Sequence, residues 1–313
     1  MYKFTPIRKT LVWGTEDWVI SGVPGSESVV AEGPEAGKKI TELFPGTFPL
    51  LIKFIDAKRD LSIQVHPDNE LAAKRHGCSG KTEMWYVIGA EPGAKLISGL
   101  KRQITPDEYV RLVEEHRITE VLAEHTVTPG DVFYMPSGRI HSIGGGCFLA
   151  EIQQTSDITY RIYDYNRPGL DGKPRQLHTQ EAKDAIDYHV YPEYRTPYER
   201  KQNEPVELIR CPYFTTTLYE LSPADQTRRA ESSRRAAANY FSCGSSKNQF
   251  ALRFSADASP FLIAIGLSGT GVIRSEKDET TLREGEAVLI PASDGKVTVE
   301  PGPGGIKFLT THC

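Results

Sequence analysis

The chain has 313 residues, 39% hydrophobic and 25% charged, with a formal net charge of −4 and a pI near 6.1. That length calls for two or three domains rather than one small module, and the composition is that of a folded globular protein, not a disordered one. Without a long basic block, a mildly acidic chain offers nothing to a phosphate backbone or an anionic membrane, so neither nucleic acid nor a membrane is an expected partner.

The opening MYKFTPIRKTLVWG has no apolar signal region, and no window approaches ~18 uninterrupted apolar residues. Five cysteines, Cys78, Cys147, Cys211, Cys243 and Cys313, are odd in number and lack C-x-x-C spacing, as free thiols of a reducing compartment would. The expected location is cytoplasmic. In chain order, short apolar or alternating runs separated by glycine and proline turns predict strands at 48–57, 61–67, 83–90, 94–100, 131–136, 140–143 and 147–154. A helix is predicted over TPDEYVRLVEEH (105–116), with Thr105 as N-cap, Pro106 in the first turn and Tyr109, Leu112 and Val113 on one face. A second is predicted through HTQEAKDAI (178–186).

TPGDVFYMPSGRIHSI (128–143) returns as REGEAVLIPASDGKVTV (283–299), with a glycine turn, a five-residue apolar stretch and a proline in the same order. Two related β-barrels follow as the expected architecture, mainly β with a few short helices. The polar stretch YRTPYERKQNEP (194–205) is the expected boundary, giving a catalytic domain with a helical insert over residues 1–200 and a degenerate one over 201–313. The second copy has no histidine where the first has His141, so chemistry and any metal belong to the first.

Side chains two apart on a strand share a face, so Gln64 points with His66, and Lys81 with Glu83 and Trp85. Gly130, Pro136, Gly138 and His141 match the second cupin signature, and Gln64, His66, Glu83 and His141 then form an N/O donor set suited to a divalent ion, zinc above all. A lone strand histidine is more often a hydrogen-bonded structural residue, and Gln64 on chemistry alone is equally a residue that orients a ligand. Lys53, inside the apolar run LLIKFI, either has an anionic partner or snorkels from a strand edge. Lys81 sits where a metal would disfavour its charged form and suit it to proton transfer; without a metal it is an ordinary loop lysine. In AEIQQTSDITYRIYDYNRPG (150–169), Glu151, Gln153, Thr155, Asp157, Thr159 and Arg161 make one polar face, either solvated or lining a pocket, with a bulge near Ser156 able to flip the register. Phosphate-loop, dinucleotide and nucleophile-elbow motifs are absent.

The ordered motifs IKFIDAKRDLSIQVHP, GKTEMWYVIGAEPGAKLISGL, VTPGDVFYMPSGRIHSIGGG and AEIQQTSDITYRIYDYNR resemble the class I mannose-6-phosphate isomerases, in the short bacterial form built from two cupin jelly rolls. The resemblance runs from VWGTEDWVISG to LHTQEA and weakens over the C-terminal third. It implies a zinc enzyme interconverting mannose 6-phosphate and fructose 6-phosphate, a monomer or weak homodimer whose partner is a small sugar phosphate. By position it implies metal ligation by Gln64, His66, Glu83 and His141, catalytic roles for Arg161, Lys81 and Glu151, and phosphate contacts from Lys53 and Ser62. The N-terminal segment departs from the pattern, reading GVPGSESVV where many relatives carry a histidine. Three rivals remain: a cupin isomerase for another sugar phosphate, against which the Gln-x-His pair and the arginine of TYRIYD argue; a non-catalytic sugar-phosphate-binding cupin, which loss of Glu151, Lys81 or Arg161 would have favoured; and a storage or structural cupin, which predicts degenerate metal residues in both barrels where only the second shows them.

Overall fold

A computed structural model describes residues 1–223, 250–252 and 259–313. The chain divides into two compact units, one of residues Thr5–Val29 and Lys38–Pro197 and the other of Met1–Phe4, Val30–Gly37 and Tyr198–Cys313. The division is thus not a single cut, because two short N-terminal stretches pair with the C-terminal half.

The first unit carries β1 (Ile7–Leu11), β2 (Gly14–Ser21), α1 (Ile40–Leu43), β3 (Leu50–Ala57), β4 (Ile63–Val65), α2 (Asn69–His76), β5 (Glu83–Ala90), β6 (Lys95–Leu100), α3 (Pro106–Glu114), β7 (Leu122–Thr126), β8 (Val132–Met135), β9 (His141–Ile143), β10 (Cys147–Gln154), β11 (Tyr160–Tyr163) and α4 (Thr179–Ala185). Its strands form a six-stranded sheet in the order β1-β2-β3-β10-β5-β8 and a five-stranded sheet in the order β11-β4-β9-β6-β7, with antiparallel pairings throughout. The architecture is mainly β, as expected, but neither ladder returns to its first strand, so the predicted closed barrel is instead a pair of open sheets. They share a core to which Ile55, Trp85, Val87, Phe133 and Leu149 come from one sheet and Leu96 and Ile143 from the other. Each such fully buried side chain contributes roughly 1.5–3 kcal/mol.

The predicted helix at 105–116 is α3, where Thr105 Oγ1 accepts the Glu108 N–H at 3.1 Å and Tyr109, Leu112 and Val113 are buried. That face packs with Ile63, Val65, Ile162 and Ala182 in a second core. The helix α2 was not expected in the turn-rich stretch after His66. Its local signals are Asp68, whose side chain accepts the Leu71 N–H, and Gly77, left-handed at φ 66° just past the end.

Among its described residues the second unit forms a seven-stranded sheet made by β12 (Pro205–Arg210), β13 (Thr215–Leu221), β14 (Phe250–Leu252), β15 (Phe261–Arg274), β16 (Glu279–Arg283), β17 (Ala287–Pro291) and β18 (Val297–His312). Both copies of the sequence repeat resolve into strand, proline, turn and strand, β8 to β9 in the first unit and β17 to β18 here. Cys78, Cys147, Cys211 and Cys313 are free thiols; Cys243 lies outside the described residues. No helix among the described residues is long and apolar enough to cross a membrane.

Gly99 shows how tightly the first unit is fitted. Its φ is 81°, and a Cβ there would lie 2.1 Å from the ring of Tyr194, which is fixed by accepting the Leu100 N–H and donating to the Leu100 carbonyl. Gly99→Ala should lower stability by about 2–5 kcal/mol, from left-handed strain plus overpacking, as read in chemical denaturation.

Candidate active site

The period of two along each strand and the register between strands put the polar residues of both sheets face to face. In the six-stranded sheet, Trp18, Lys53, Glu151, Trp85 and Phe133 form one row across β2, β3, β10, β5 and β8, and Gln153 pairs with Glu83 one row away. In the five-stranded sheet, Arg161, Gln64, His141 and Ser98 form a row across β11, β4, β9 and β6. Residues 150–169 therefore do not make one strand: β10 ends at Gln154 in one sheet and β11 starts at Tyr160 in the other. Glu151 thus lies in the six-stranded sheet and Arg161 in the five-stranded one.

Where the two faces meet, His66, Glu83 and His141 are buried and present ligand atoms within 4.8 Å of one another. His66 Nδ1–H donates to the Ile158 carbonyl and His141 Nδ1–H to the Arg139 carbonyl, each at 2.8 Å. Since a carbonyl can only accept, both rings are fixed as the Nδ1–H tautomer and both Nε2 lone pairs turn inward. Burial, with Lys81 nearby, holds His66 neutral well below its ordinary range and lowers His141 to about 4. Glu83 Oε2 is 3.5 Å from His66 Nε2 and Glu83 Oε1 is 3.4 Å from His141 Nε2. Both Glu83 oxygens are buried and accept no well-directed hydrogen bond, and burial pushes the carboxyl up to about 7. Lys81 Nζ lies 3.0 Å from Glu83 Oε2 and 3.0 Å from His66 Nε2. The donors thus already collect a cation, and two neutral imidazoles with a carboxylate fit a divalent metal. Gln64 is the fourth neighbour, its amide 3.3 Å from His141 Nε2, and a half-turn of that amide presents its oxygen.

Glu151 sits above this cluster. Its Oε2 accepts the Trp85 Nε1–H at 2.9 Å and its Oε1 is 2.9 Å from Lys53 Nζ. Burial alone would raise its carboxyl; Lys53 and Lys81 more than offset that and lower it to about 2, so Glu151 is ionised. Lys53 was expected to meet a phosphate or an anionic partner or to snorkel. It is buried, with Glu16 Oε2 as a second carboxylate at 3.6 Å, and the two acids outweigh desolvation and raise its pKa. Ser62, the other expected phosphate contact, is buried immediately before β4.

Arg161 forms a second centre of charge. It is half-buried, one guanidinium nitrogen donates to the Gln176 carbonyl at 3.0 Å, and its Nε is buried with no hydrogen-bond partner. Beside it the buried Asp164 receives Arg167 and Arg175, at 2.9 Å and 2.6 Å. The sequence reading missed Glu16, Asp164, Arg167 and Arg175. Glu16 shares a strand face with Trp18, a period-two signal; the arginine cluster had none, because its members come from an irregular loop. Burial works against the Asp164 charge, but Arg175 and Arg167 outweigh it and hold the carboxyl below its ordinary range. A depressed carboxyl stabilises the fold fully above its unfolded pKa of about 4 and loses that contribution as pH falls through the lower folded value. Amide protection factors over residues 164–177 should therefore drop as pH falls below about 4, and Asp164→Asn should show the same loss at pH 7.

Comparison with known proteins bears on this geometry. The family description "Phosphomannose isomerase type I, catalytic domain" matches residues 16–89, and "Mannose-6-phosphate isomerase, cupin domain" matches residues 234–309. Mannose-6-phosphate isomerase ManA of Bacillus subtilis (strain 168) is 31% identical over 339 aligned positions, covering 99% of this chain and 98% of the relative. The crystal structure of the mannose 6-phosphate isomerase from Bacillus subtilis superimposes with a TM-score of 0.82 at 27% identity, covering 100% of this chain and 99% of that one. A zinc-bound holo mannose 6-phosphate isomerase shares the fold at a TM-score of 0.70 and 13% identity, over 99% of this chain and 98% of that one.

Proposed function

The chain belongs to the type I mannose-6-phosphate isomerase family, and from that premise we propose that it interconverts mannose 6-phosphate and fructose 6-phosphate, with zinc held by Gln64, His66, Glu83 and His141. The observation that carries the proposal is the pair of inward Nε2 lone pairs around a buried, hydrogen-bond-poor Glu83, with Glu151 on the neighbouring row of the same sheet as Glu83.

Aldose–ketose isomerisation moves a proton between C1 and C2 through an enediol, so the site needs a base beside the carbons and positive charge at O1 and O2. Zinc supplies Lewis acidity toward those oxygens. Glu151 is the buried carboxylate of this site outside the donor set, and in this reading it takes the proton from one carbon and returns it to the other. Lys81, 3.0 Å from Glu83, is the alternative carrier and otherwise a hydrogen-bond donor to O1 or O2. Arg161 stabilises the charge that develops on the enediol oxygens. With Arg167 and Arg175 against the single Asp164, its edge is the positive one, suited together with Ser62 to a sugar phosphate. We further assign the chemistry to the first unit and a metal-free jelly-roll role to the second; among the described residues the one His/Cys/Asp/Glu cluster fit for a metal lies in the first.

A coupled assay of mannose 6-phosphate conversion before chelation, after it and after zinc is restored should show activity lost and regained. A folded, zinc-loaded protein without activity would instead support the sugar-phosphate-binding alternative. Arg161→Ala should lower kcat by about 100-fold or more at unchanged zinc content, as expected for loss of charge stabilisation in the transition state.

A further inference from the structure

Lys53 lies on β3 between β2 and β10, and its ammonium meets a carboxylate from each side: Glu151 Oε1 at 2.9 Å and Glu16 Oε2 at 3.6 Å. Glu16 is itself anchored, because its Oε2 accepts the Trp18 Nε1–H at 2.6 Å. Trp18 pairs with Lys53 across the strands, and the Lys53 ammonium stands over its ring, 5.1 Å from the centroid. The far end of the row holds Glu151 from the other side, through the Trp85 indole N–H. Glu151 thus has the Trp85 hydrogen bond on Oε2 and the Lys53 ammonium as the ion-pair partner of Oε1.

We infer that Glu16 is a positioning residue for the isomerisation: through Trp18 and Lys53 it fixes Glu151, and Lys53 belongs to this brace and not to the phosphate contact. The inference rests on the reading of Glu151 as the proton carrier. Two physical arguments support it. A dianionic phosphate brought to Lys53 would stand beside two carboxylates already using that ammonium, the buried Glu151 and the partly buried Glu16, an uncompensated repulsion in a largely desolvated setting. A lysine side chain has many rotamers, so a single anion leaves its ammonium free to follow Glu151 wherever that carboxylate swings. A second anion on the opposite strand, tied to an indole, removes that freedom and makes Lys53 a fixed point.

The decisive variant is Glu16→Gln, which keeps the shape and an acceptor for Trp18 but removes the charge, leaving a neutral Lys53–Glu151 pair that can fold. Misplaced catalytic groups lose turnover rather than affinity, so kcat should fall about 10-fold while KM for mannose 6-phosphate and the inhibition constant of inorganic phosphate stay within about twofold. Glu16→Asp should recover part of kcat. Lys53→Met, if it folds, should lower kcat further at the same phosphate inhibition constant. Wild-type kcat in Glu16→Gln would overturn the inference, as would a Lys53→Met protein with kept kcat and a phosphate inhibition constant raised tenfold or more. Glu151→Gln separates the two levels: wild-type turnover there would remove the reading of Glu151 itself, whereas a collapse of kcat there beside an unaffected Glu16→Gln would remove the brace alone.

Discussion

Charge balance in a buried space governs this structure. Between the two sheets of the first unit lie the ammoniums of Lys53 and Lys81 and the carboxylates of Glu83 and Glu151, all almost fully buried, with Glu16 at the edge. Buried ions are costly unless each has a partner, and removing one partner exposes the full penalty of the other. Two ammoniums against three carboxylates leave the cluster short of positive charge, which a divalent cation among His66, Glu83 and His141 would reverse. The same ion would make the cavity net positive, the sign an anionic sugar phosphate requires.

The cluster is possible because two sheets offer flat, regularly spaced faces to one another. Strand periodicity delivers the charged residues in rows, and antiparallel register aligns those rows across strands distant in sequence: Trp18, Lys53 and Glu151 become neighbours in one line. The apolar residues of the same strands fill the shared core around Trp85, Leu149 and Ile143, so the polar row does not have to hold the sheets together by itself. Backbone carbonyls do the remaining work. Those of Ile158 and Arg139 select the tautomers of His66 and His141, a control exerted by chain path and not by side-chain chemistry.

Seen this way, the site separates into a donor cluster, a braced carboxylate and an arginine edge. Glu83 and Glu151 are both buried carboxylates that desolvation pushes up, yet their environments differ: desolvation prevails at Glu83, while at Glu151 Lys53 and Lys81 together outweigh it. That difference between two like groups follows from which strand neighbours each has, and Arg161 on β11 with Arg167 and Arg175 in the following loop adds positive charge beside the single Asp164.

Much of this was legible from the chain alone. Strand periodicity predicts the β-rich fold and the shared face of Lys81 and Glu83, and Thr105 with Pro106 predicts α3, signals that are local, resting on a period of two or a cap within one turn. The resemblance to the class I isomerases adds the set Gln64, His66, Glu83, His141, Glu151 and Arg161 by position. The tertiary structure decided what depends on distant segments: that the sheets stay open, that residues 150–169 divide between two sheets, and that α2 fills the loop after His66. It also decided the partners of Lys53. The run LLIKFI left open whether that ammonium was paired or snorkelling, because Glu16 precedes it by a whole turn-rich segment and Glu151 follows far along the chain, and no local pattern states which strands will flank β3. The sequence determined which chemical groups face inward; only the packing of strands determined which charge each of them meets.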